Sequence, residues 1–280
     1  STPSVCGVDT LSVTLLAKGT CTIVASQAGD SHYLAATSVS RTFAISEPAL
    51  TVTATVPSAT VTYGEAIGAD YGVSGLVGTD TFGSATLYYK GIAGTVYAKS
   101  TAAPTAVGRY SVEPAGASLS SGSISNYTVD YVSVSFSITQ RAVTVTAAAK
   151  SKTYGDADPA LTYTVTPGSV LAGDSFTGAL SRSVGENVGT YAINQNTLSL
   201  GSNYAITYTG ANLTVGVRTV VITADAKSKT YGDADPALTY QITSGTVVSP
   251  DAFTGALSRD PGQNAGTYAI NQDTLTLGAN

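Results

Sequence analysis

A stretch of sequence that occurs twice, 77 residues apart, limits how this chain can fold. Lys150–Asn194 begins KSKTYGDADPALTY and ends VGTYAIN, and closely similar sequence returns at residues 227–271. The longer segments 141–201 and 218–278 align without a gap and share about 70 % of their residues. Self-similarity at a fixed period indicates structural modules of one design, arranged one after another.

A weaker copy of the same design precedes the two close copies. Residues 62–65, TYGE, correspond to TYGD at 153–156, and residues 107–110, VGRY, correspond to VGTY at 188–191. About ten additional residues separate the two motifs in this copy. They fall around Leu87–Ser100, which predicts a longer hairpin at this place.

The repeat divides the chain into four predicted domains. They are a partial unit at 1–46, a divergent repeat at 47–139, a repeat at 140–216 and a repeat at 217–280 that is truncated at its C-terminus. Pro48 marks the first boundary, because proline ends a β-ladder. The two ends of the chain fall at unlike points of the repeat, so we expect a segment taken from a longer array.

The composition is that of an all-β protein. Val, Thr and Tyr are abundant, charged residues make up 11 %, and 29 Gly and 10 Pro supply turns. Short strands at this spacing predict tandem small β-sandwich modules of immunoglobulin-like type in an elongated array. The alternative is a β-grasp module in which Leu171–Ser175 is the beginning of a short helix.

Strands are predicted in the partial unit at 1–46 and in the repeat at 140–216. Their ranges are Leu11–Leu15, Cys21–Ser26, Ser40–Ser46, Val143–Ala147, Ala160–Thr166, Phe176–Ser181, Thr190–Asn194 and Tyr204–Val215, the last bending near Gly210. The Gly-Thr-Tyr motif resembles the tyrosine corner of immunoglobulin-like domains, with Tyr191 and Tyr268 as the corner residues.

Composition also excludes several classes of function. The 13 Lys and Arg are scattered and the net charge is −5, so no basic stripe for a nucleic acid exists. No apolar run approaches the roughly 20 residues of a membrane span. The single histidine, His32, lies in the partial unit at 1–46. Both a Ser–His–Asp and a Cys–His arrangement would need this one histidine, so we expect no enzyme activity.

Cys6 and Cys21 are the two cysteines, and both lie in the partial unit at 1–46. In an oxidising compartment they could pair, and closure of such a short loop stabilises a protein by roughly 3 kcal/mol. The alternative is a pair of buried free thiols. With one histidine and no further cysteine, the sequence contains no zinc-site spacing.

The DADP segments carry the sharpest candidate site. Asp156 and Asp158, and their copies Asp233 and Asp235, could supply carboxylate oxygens to Ca²⁺, although two carboxylates are a minority of the six to eight ligands required. The favoured alternative is an Asx turn with Pro159 fixing the entry into the next strand. No other cofactor is expected.

The motifs TYGD at 153–156, FTGALSR at 176–182, VGTY at 188–191 and Asn203-Tyr204 resemble the MBG family of repeats (YGX type) and its YDG-like relatives. The first 46 residues resemble the C-terminal half of a bacterial immunoglobulin-like repeat. This resemblance implies an extracellular stalk or spacer in a large bacterial surface or secreted adhesin, whose partners are neighbouring repeats of the same chain. The alternative is an adhesive module that binds glycans or a host or partner-cell protein. The family implies no catalytic residues.

Overall fold

Strands make up nearly all of the regular structure. The computed structural model describes residues 2–10 and 12–280, and the chain divides into two compact units, 1–141 and 142–280, which are described separately. Within the described residues the one helical segment is a single 3₁₀ turn at Ile124–Asn126, and no helix is long and apolar enough to span a membrane. The prediction of an all-β protein is confirmed.

The described residues of the first unit form eleven strands and the start of a twelfth. They are β1 (Cys6–Asp9), β2 (Ser12–Leu15), β3 (Gly19–Gln27), β4 (Ala36–Ile45), β5 (Ala49–Thr55), β6 (Thr60–Thr62), β7 (Asp70–Ser74), β8 (Thr81–Ile92), β9 (Gly108–Ser121), β10 (Thr128–Val132), β11 (Val134–Thr139) and the start of β12 (Arg141–Ala147).

The second unit continues β12 and contains two repeats. Its further strands are β13 (Lys150–Thr153), β14 (Tyr163–Val165), β15 (Ser181–Arg182), β16 (Gly189–Asn194), β17 (Tyr204–Thr209), β18 (Ala211–Gly216), β19 (Val221–Ala224), β20 (Tyr240–Ser244), β21 (Ser258–Arg259) and β22 (Ile270–Asn271).

The repeats at 49–139 and 141–216 have the same topology. Each has a three-stranded sheet, β10-β5-β7 or β17-β12-β14, and a four-stranded sheet, β6-β11-β9-β8 or β13-β18-β16-β15. In each four-stranded sheet the short strand β6 or β13 runs parallel to its neighbour, whereas β9 or β16 runs antiparallel to the same neighbour.

Apolar side chains from both sheets form one core in the first complete repeat. Ala54 of the three-stranded sheet packs with Tyr110, Val112 and Phe136 of the four-stranded sheet. The rings of Tyr110 and Phe136 stack with centroids 5.5 Å apart. A shared core between two sheets defines a β-sandwich.

The helix of the β-grasp alternative is absent from the described residues, so that alternative is wrong. Leu171–Ser175 forms a turn in which the Asp174 N–H donates to the Leu171 carbonyl oxygen over 3.1 Å. Gly173 has a φ of +96°, which is left-handed backbone and stops a right-handed helix from continuing.

Most predicted strands are present, with changed ends. Gly210 separates β17 from β18, as the predicted bend requires. The predicted strand at Phe176–Ser181 is short, because Gly178 turns the backbone with a φ of +74°, and only residues 181–182 are extended in a ladder. Leu11 of the first predicted strand lies outside the described residues.

The additional residues of the divergent repeat do form the long hairpin that the sequence predicts. β8 and β9 pair from Thr81↔Ser121 to Ile92↔Arg109. Beyond the ladder, the chain folds back so that Tyr89 also pairs with Ser100.

The first unit begins with two hairpins, β1-β2 and β3-β4. Cys6 and Cys21 form a disulfide whose Cα atoms lie 5.7 Å apart. Their side chains are fully buried, whereas the other described residues of this segment are partly or fully exposed. The disulfide is therefore the centre of this small segment.

Candidate functional site: the turn at the repeat junction

The Tyr-Gly-Asp motif forms a tight turn at the end of the short strand β13. The Asp156 N–H donates to the Thr153 carbonyl oxygen over 3.0 Å, and Gly155 has a φ of +82°. This is the arrangement of a type II turn, which requires a residue with positive φ at its third position. The corresponding turns at 62–65 and 230–233 have the same hydrogen bond and a glycine with a φ of +89° and +93°.

Arg218, the second residue of the third repeat, binds the turn of the second repeat. Its Nε donates to the Tyr154 carbonyl oxygen over 2.6 Å, and its Nη2 pairs with an Oδ1 of Asp156. One guanidinium thus binds the backbone and the carboxylate of one turn. A planar guanidinium offers several donors in a fixed fork, which suits such a two-point contact.

A similar contact between an arginine and the carbonyl oxygen of a turn tyrosine occurs in the first unit. Arg141, which lies 77 residues before Arg218, donates from Nη1 to the carbonyl oxygen of Tyr63 over 3.4 Å. Glu65 stands where Asp156 stands in the second repeat, and its carboxylate accepts the Thr62 N–H over 2.8 Å. Each unit therefore has an arginine bound to the tyrosine carbonyl oxygen of such a turn, Arg141 in the first unit and Arg218 in the second.

The turn of the second repeat also packs against the third through apolar and tyrosine contacts. A Cβ placed on Gly155 would lie 2.4 Å from Cγ2 of Val248, so the turn approaches that side chain closely. The Tyr154 hydroxyl hydrogen-bonds to Asp251, and this bond raises the pKa of Tyr154. Gly155 is thus constrained twice, by its positive φ and by its neighbour in the next repeat.

A cluster of four charged side chains surrounds the second aspartate of the DADP segment. Lys152 Nζ lies 2.7 Å from Asp158 Oδ1 and 2.6 Å from Glu186 Oε2. Arg182 Nε lies 2.6 Å from Asp158 Oδ2, and the same guanidinium pairs with Glu186. Lys152 also donates to the Asp156 carbonyl oxygen over 3.1 Å. We call these residues, Lys152, Asp158, Arg182 and Glu186, the ion-pair cluster.

The third repeat contains the same cluster without the glutamate. Lys229 and Arg259 lie 2.6 and 2.9 Å from the two carboxylate oxygens of Asp235, and Gln263 stands at the position of Glu186. In each repeat the lysine and the arginine both bind the second aspartate of the DADP segment, Asp158 or Asp235. Because Lys229 also donates to the Asp233 carbonyl oxygen over 3.1 Å, the lysine fixes the loop backbone in the same way.

Electrostatics in the cluster follow from these contacts. Hydrogen bonds from Arg182 and then from Lys152 lower the pKa of Asp158 to about 2. Hydrogen bonds from Lys152 and Arg182 lower the pKa of Glu186. The hydrogen bonds that Lys152 donates to Asp158 and Glu186 raise the pKa of Lys152. Arg259 and Lys229 lower the pKa of Asp235 in the same way.

Lysine and arginine side chains already bind three of the four carboxylates that the sequence predicts as Ca²⁺ ligands. Asp158 and Asp235 accept hydrogen bonds from a lysine and an arginine at both oxygens, and Asp156 is paired with Arg218. The described residues contain no group of three or more His, Cys, Asp or Glu that could hold a metal. Ca²⁺ binding at Asp156, Asp158, Asp233 and Asp235 stays a prediction, and it would require these side-chain cations to move away.

Tyrosine corners support the chain just beyond the cluster. The hydroxyls of Tyr191 and Tyr268 donate to the carbonyl oxygens of Asn187 and Asn264 over 2.7 and 2.8 Å. Tyr110 does the same to Ala106 over 2.8 Å in the divergent repeat. The predicted corners are confirmed, and the guanidinium of Arg182 lies 5.4 Å from the ring centroid of Tyr191, within cation–π range.

Replacement of Asp158 with Asn is expected to destabilise the second repeat by about 1 kcal/mol at pH 7, once solvent screening is allowed for. Since the pKa of Asp158 is lowered to about 2, this stability is present above the ordinary aspartate pKa and is lost as the pH falls towards 2. Denaturant unfolding of both proteins between pH 7 and pH 2 measures the difference. Asp130→Asn, at an exposed position, is the control, and a difference that persists at pH 2 would contradict the assignment.

Comparison with known families identifies the two repeats of the second unit. Residues 143–214 and 220–280 match the MBG domain (YGX type). These two segments are tandem MBG domains. No curated protein and no solved structure matches the chain significantly.

The predicted resemblance to MBG repeats is therefore confirmed for the second unit, and the matched segments lie inside the predicted repeats 140–216 and 217–280. The divergent repeat at 47–139 has the topology of the first MBG domain. The four predicted domain boundaries and the immunoglobulin-like character of residues 1–46 stay predictions.

The arginines at the junctions were missed by sequence reasoning. Arg141 and Arg218 are spaced by the repeat length, which was an available signal, but their partners lie 78 and 64 residues away. The sequence also gives no prediction of the ion pair between Lys152 and Asp158. Nothing in a single sequence shows which charged side chains a fold brings together.

Proposed function

We propose that this chain is a structural stalk or spacer segment of a large bacterial cell-surface or secreted adhesin, in which it holds an adhesive region away from the cell. Its location is extracellular, its partners are neighbouring repeats of the same chain, and it has no catalytic role. The observation that carries the proposal is the contact of Arg218 with Tyr154 and Asp156, which joins two MBG domains directly.

The length of the connection supports a structural role. β18 ends at Gly216, and Arg218 already binds the preceding turn, so one residue separates the last strand of one MBG domain from the junction contact. Domains that are joined by long polar linkers move independently. A one-residue connection with hydrogen bonds on both sides restricts such motion, as a spacer requires.

The ion-pair cluster supports the same role at the level of the single domain. The cluster fixes the DADP loop through the hydrogen bond from Lys152 to the Asp156 carbonyl oxygen. Arg218 binds the carboxylate of the same Asp156. Stability in such arrays is approximately a sum of the stabilities of the repeats and of the interfaces between neighbours. Each interface contact therefore contributes to the stability of the array.

Replacement of Arg218 with Ala is expected to broaden the distribution of distances between the two MBG domains. Spin labels on noncanonical side chains at the exposed positions Val184 and Ile242 report this distribution in the full chain. The wild type should give one narrow distribution. Arg41→Ala, which removes an exposed arginine from the first unit, is the matched control and should leave it unchanged. Equal widths in the wild type and in Arg218→Ala would contradict a junction held by Arg218.

The alternative function, an adhesive module for glycans or a host or partner-cell protein, is tested on the same full-length chain. Immobilised glycans and host extracellular proteins are probed with the labelled protein. We expect no saturable binding at micromolar concentration. Binding that survives in both Arg218→Ala and Arg41→Ala would assign an adhesive role that is independent of the junction.

A further inference from the structure

The repeats at 49–139 and 141–216 both begin and end on interior strands of their sheets. In the second repeat β12 lies between β14 and β17, and β18 lies between β13 and β16. In the divergent repeat β5 lies between β7 and β10, and β11 lies between β6 and β9. An edge strand has a hydrogen-bonded neighbour on one side only and can be peeled away, whereas an interior strand must break from two neighbours. A pull on the two ends of either repeat therefore acts on strands that are held from both sides.

A parallel strand pair connects the entry and the exit of the second repeat. β13 follows β12 along the chain and pairs in parallel with β18, so that Lys150–Thr153 lies beside Leu213–Gly216. The Tyr154 N–H extends this ladder, since it donates to the Gly216 carbonyl oxygen over 2.8 Å. The chain that enters the repeat is thus bonded directly to the strand by which the chain leaves it.

The divergent repeat has the same connection. β6 pairs in parallel with β11, and the Tyr63 N–H donates to the Thr139 carbonyl oxygen over 2.9 Å. The Thr139 hydroxyl also donates to the Val61 carbonyl oxygen over 3.2 Å. We call each parallel pair, with the tyrosine N–H that extends it, the clamp of its repeat. Because the two repeats differ in sequence, a clamp in both is a property of the fold.

Tension along the chain loads the clamp in shear. The chain enters the second repeat at β12, continues into β13, and leaves at the end of β18. Since β13 and β18 run in the same direction, opposite pulls at these two ends draw the strands past each other along their axes. The hydrogen bonds of a parallel pair are evenly spaced along the strands, so all of them are strained together. A strand pair that is pulled apart sideways from one end loses its hydrogen bonds one after another.

The strands that carry this load also hold the most buried apolar side chains. Val143 and Val145 of β12 and Leu213 and Val215 of β18 are at most 2 % exposed. Displacement of β18 along its axis would move Leu213 away from Ile193, against which it packs in the core. Burial of apolar surface is favourable, so core packing resists the same displacement as the hydrogen bonds of the clamp.

We propose that each of these two repeats bears tensile load along the chain, and that the clamp is the part that resists it. This role rests on the proposed stalk function, because a spacer between a cell and the surface that it adheres to is pulled at both ends. The two proposals can fail separately. Spin-label distances measure the junction between MBG domains without load, whereas the rate of unfolding under force measures the clamp of a single repeat.

Single-molecule force spectroscopy on the full 280-residue protein tests the clamp in two directions of pulling. One pair of handles, on noncanonical side chains at the exposed positions Ala142 and Val217, flanks the second repeat and loads its clamp in shear. These positions are 75 residues apart, so complete unfolding gives a span of at most about 250–270 Å. A second pair, at Thr81 and Ser121, lies directly opposite at the open end of the β8–β9 hairpin and pulls that hairpin apart from one end.

The same constant force is applied through both pairs of handles. Unfolding under force is governed by the unfolding rate, and we expect the hairpin to open at least about tenfold faster than the second repeat unfolds. The β8–β9 ladder is longer than the clamp, so this result would show that the direction of pulling, and not the length of the ladder, decides the resistance. Equal rates, or slower opening of the hairpin, would overturn the proposal.

Three variants test a single hydrogen bond of the clamp in the Ala142–Val217 geometry. Tyr154→Pro removes the N–H that binds Gly216 and is compatible with the turn, because proline is favoured at the second position of a type II turn. Tyr154→Ala removes the same ring and keeps the N–H. Ser183→Pro removes an N–H that donates to the Ala192 carbonyl oxygen, also over 2.8 Å, next to the edge strand β15.

We expect Tyr154→Pro to unfold about fivefold faster under force than Tyr154→Ala, as the loss of one hydrogen bond implies. Ser183→Pro should unfold at nearly the rate of the wild type. Equal rates for the two Tyr154 variants, or an acceleration by Ser183→Pro as large as that by Tyr154→Pro, would overturn the proposal. The wild-type comparison of the two pulling directions decides the matter if a variant does not fold. Fast unfolding of the wild-type repeat together with narrow spin-label distances would overturn the load-bearing role and leave the stalk proposal intact.

Discussion

Replacement of Leu213 with Ala is expected to lower the free energy of unfolding of the second repeat by about 3 kcal/mol. Leu213 is fully buried and lies at the middle of β18, where it packs with Ala147 and Ile193. Truncation of a buried leucine removes its transfer free energy and leaves a cavity, and together these cost about 2–5 kcal/mol. Since β18 joins β13 to β16, the cavity lies where the sheet is held together.

Thermal and denaturant unfolding of the full chain measure this effect. Thr214→Ala is the matched control, because Thr214 is the next residue on the same strand and is exposed. We expect it to change stability by less than about 0.5 kcal/mol. The two variants should differ in the transition of the second unit and not in that of the first. Equal effects of the two substitutions would contradict the assignment of Leu213 to the core.

The same position has a larger side chain in the divergent repeat. Phe136 lies 77 residues before Leu213, is almost fully buried, and stacks on the corner residue Tyr110. The central strand therefore supplies the main core residue in both complete repeats.

Local features of the fold could be predicted because their cause lies in neighbouring residues. The tyrosine corners follow from a motif of four residues, and the hydroxyl of Tyr191 bonds only four residues upstream. The break at Gly210 follows from the freedom of glycine in the backbone. The all-β class follows from composition in the same manner.

Features that depend on distant partners could not be predicted. Lys150–Thr153 is not among the predicted strands, and it forms strand β13 because it pairs with Leu213–Gly216 far along the chain. The identical residues 227–230 are not a strand, which shows that the sequence of the segment is insufficient. The pairing of Asp158 with Arg182 across 24 residues has the same origin.

Replacement of both Cys6 and Cys21 with Ser is expected to unfold the segment before residue 47, because this segment has little else to hold it together. The two cysteines are its only buried side chains among residues 2–10 and 12–46. Their sequence separation is 15, and closure of a loop of this size stabilises a folded state by about 3 kcal/mol. Small segments without a sufficient hydrophobic core commonly depend on disulfides in this way.

Amide hydrogen exchange of the full chain distinguishes local from global loss of structure. In the Ser variant, and in the wild type after reduction, exchange should become fast in Gly19–Gln27 and Ala36–Ile45, which form the larger hairpin. Exchange in Ala49–Thr55 should change little, because Leu50 and Val52 are buried in the core of the next repeat. Slow exchange of the hairpin after reduction would show that backbone pairing alone holds it. The outcome also bears on location: a segment that needs its disulfide persists only in an oxidising compartment, which is where an extracellular spacer would fold.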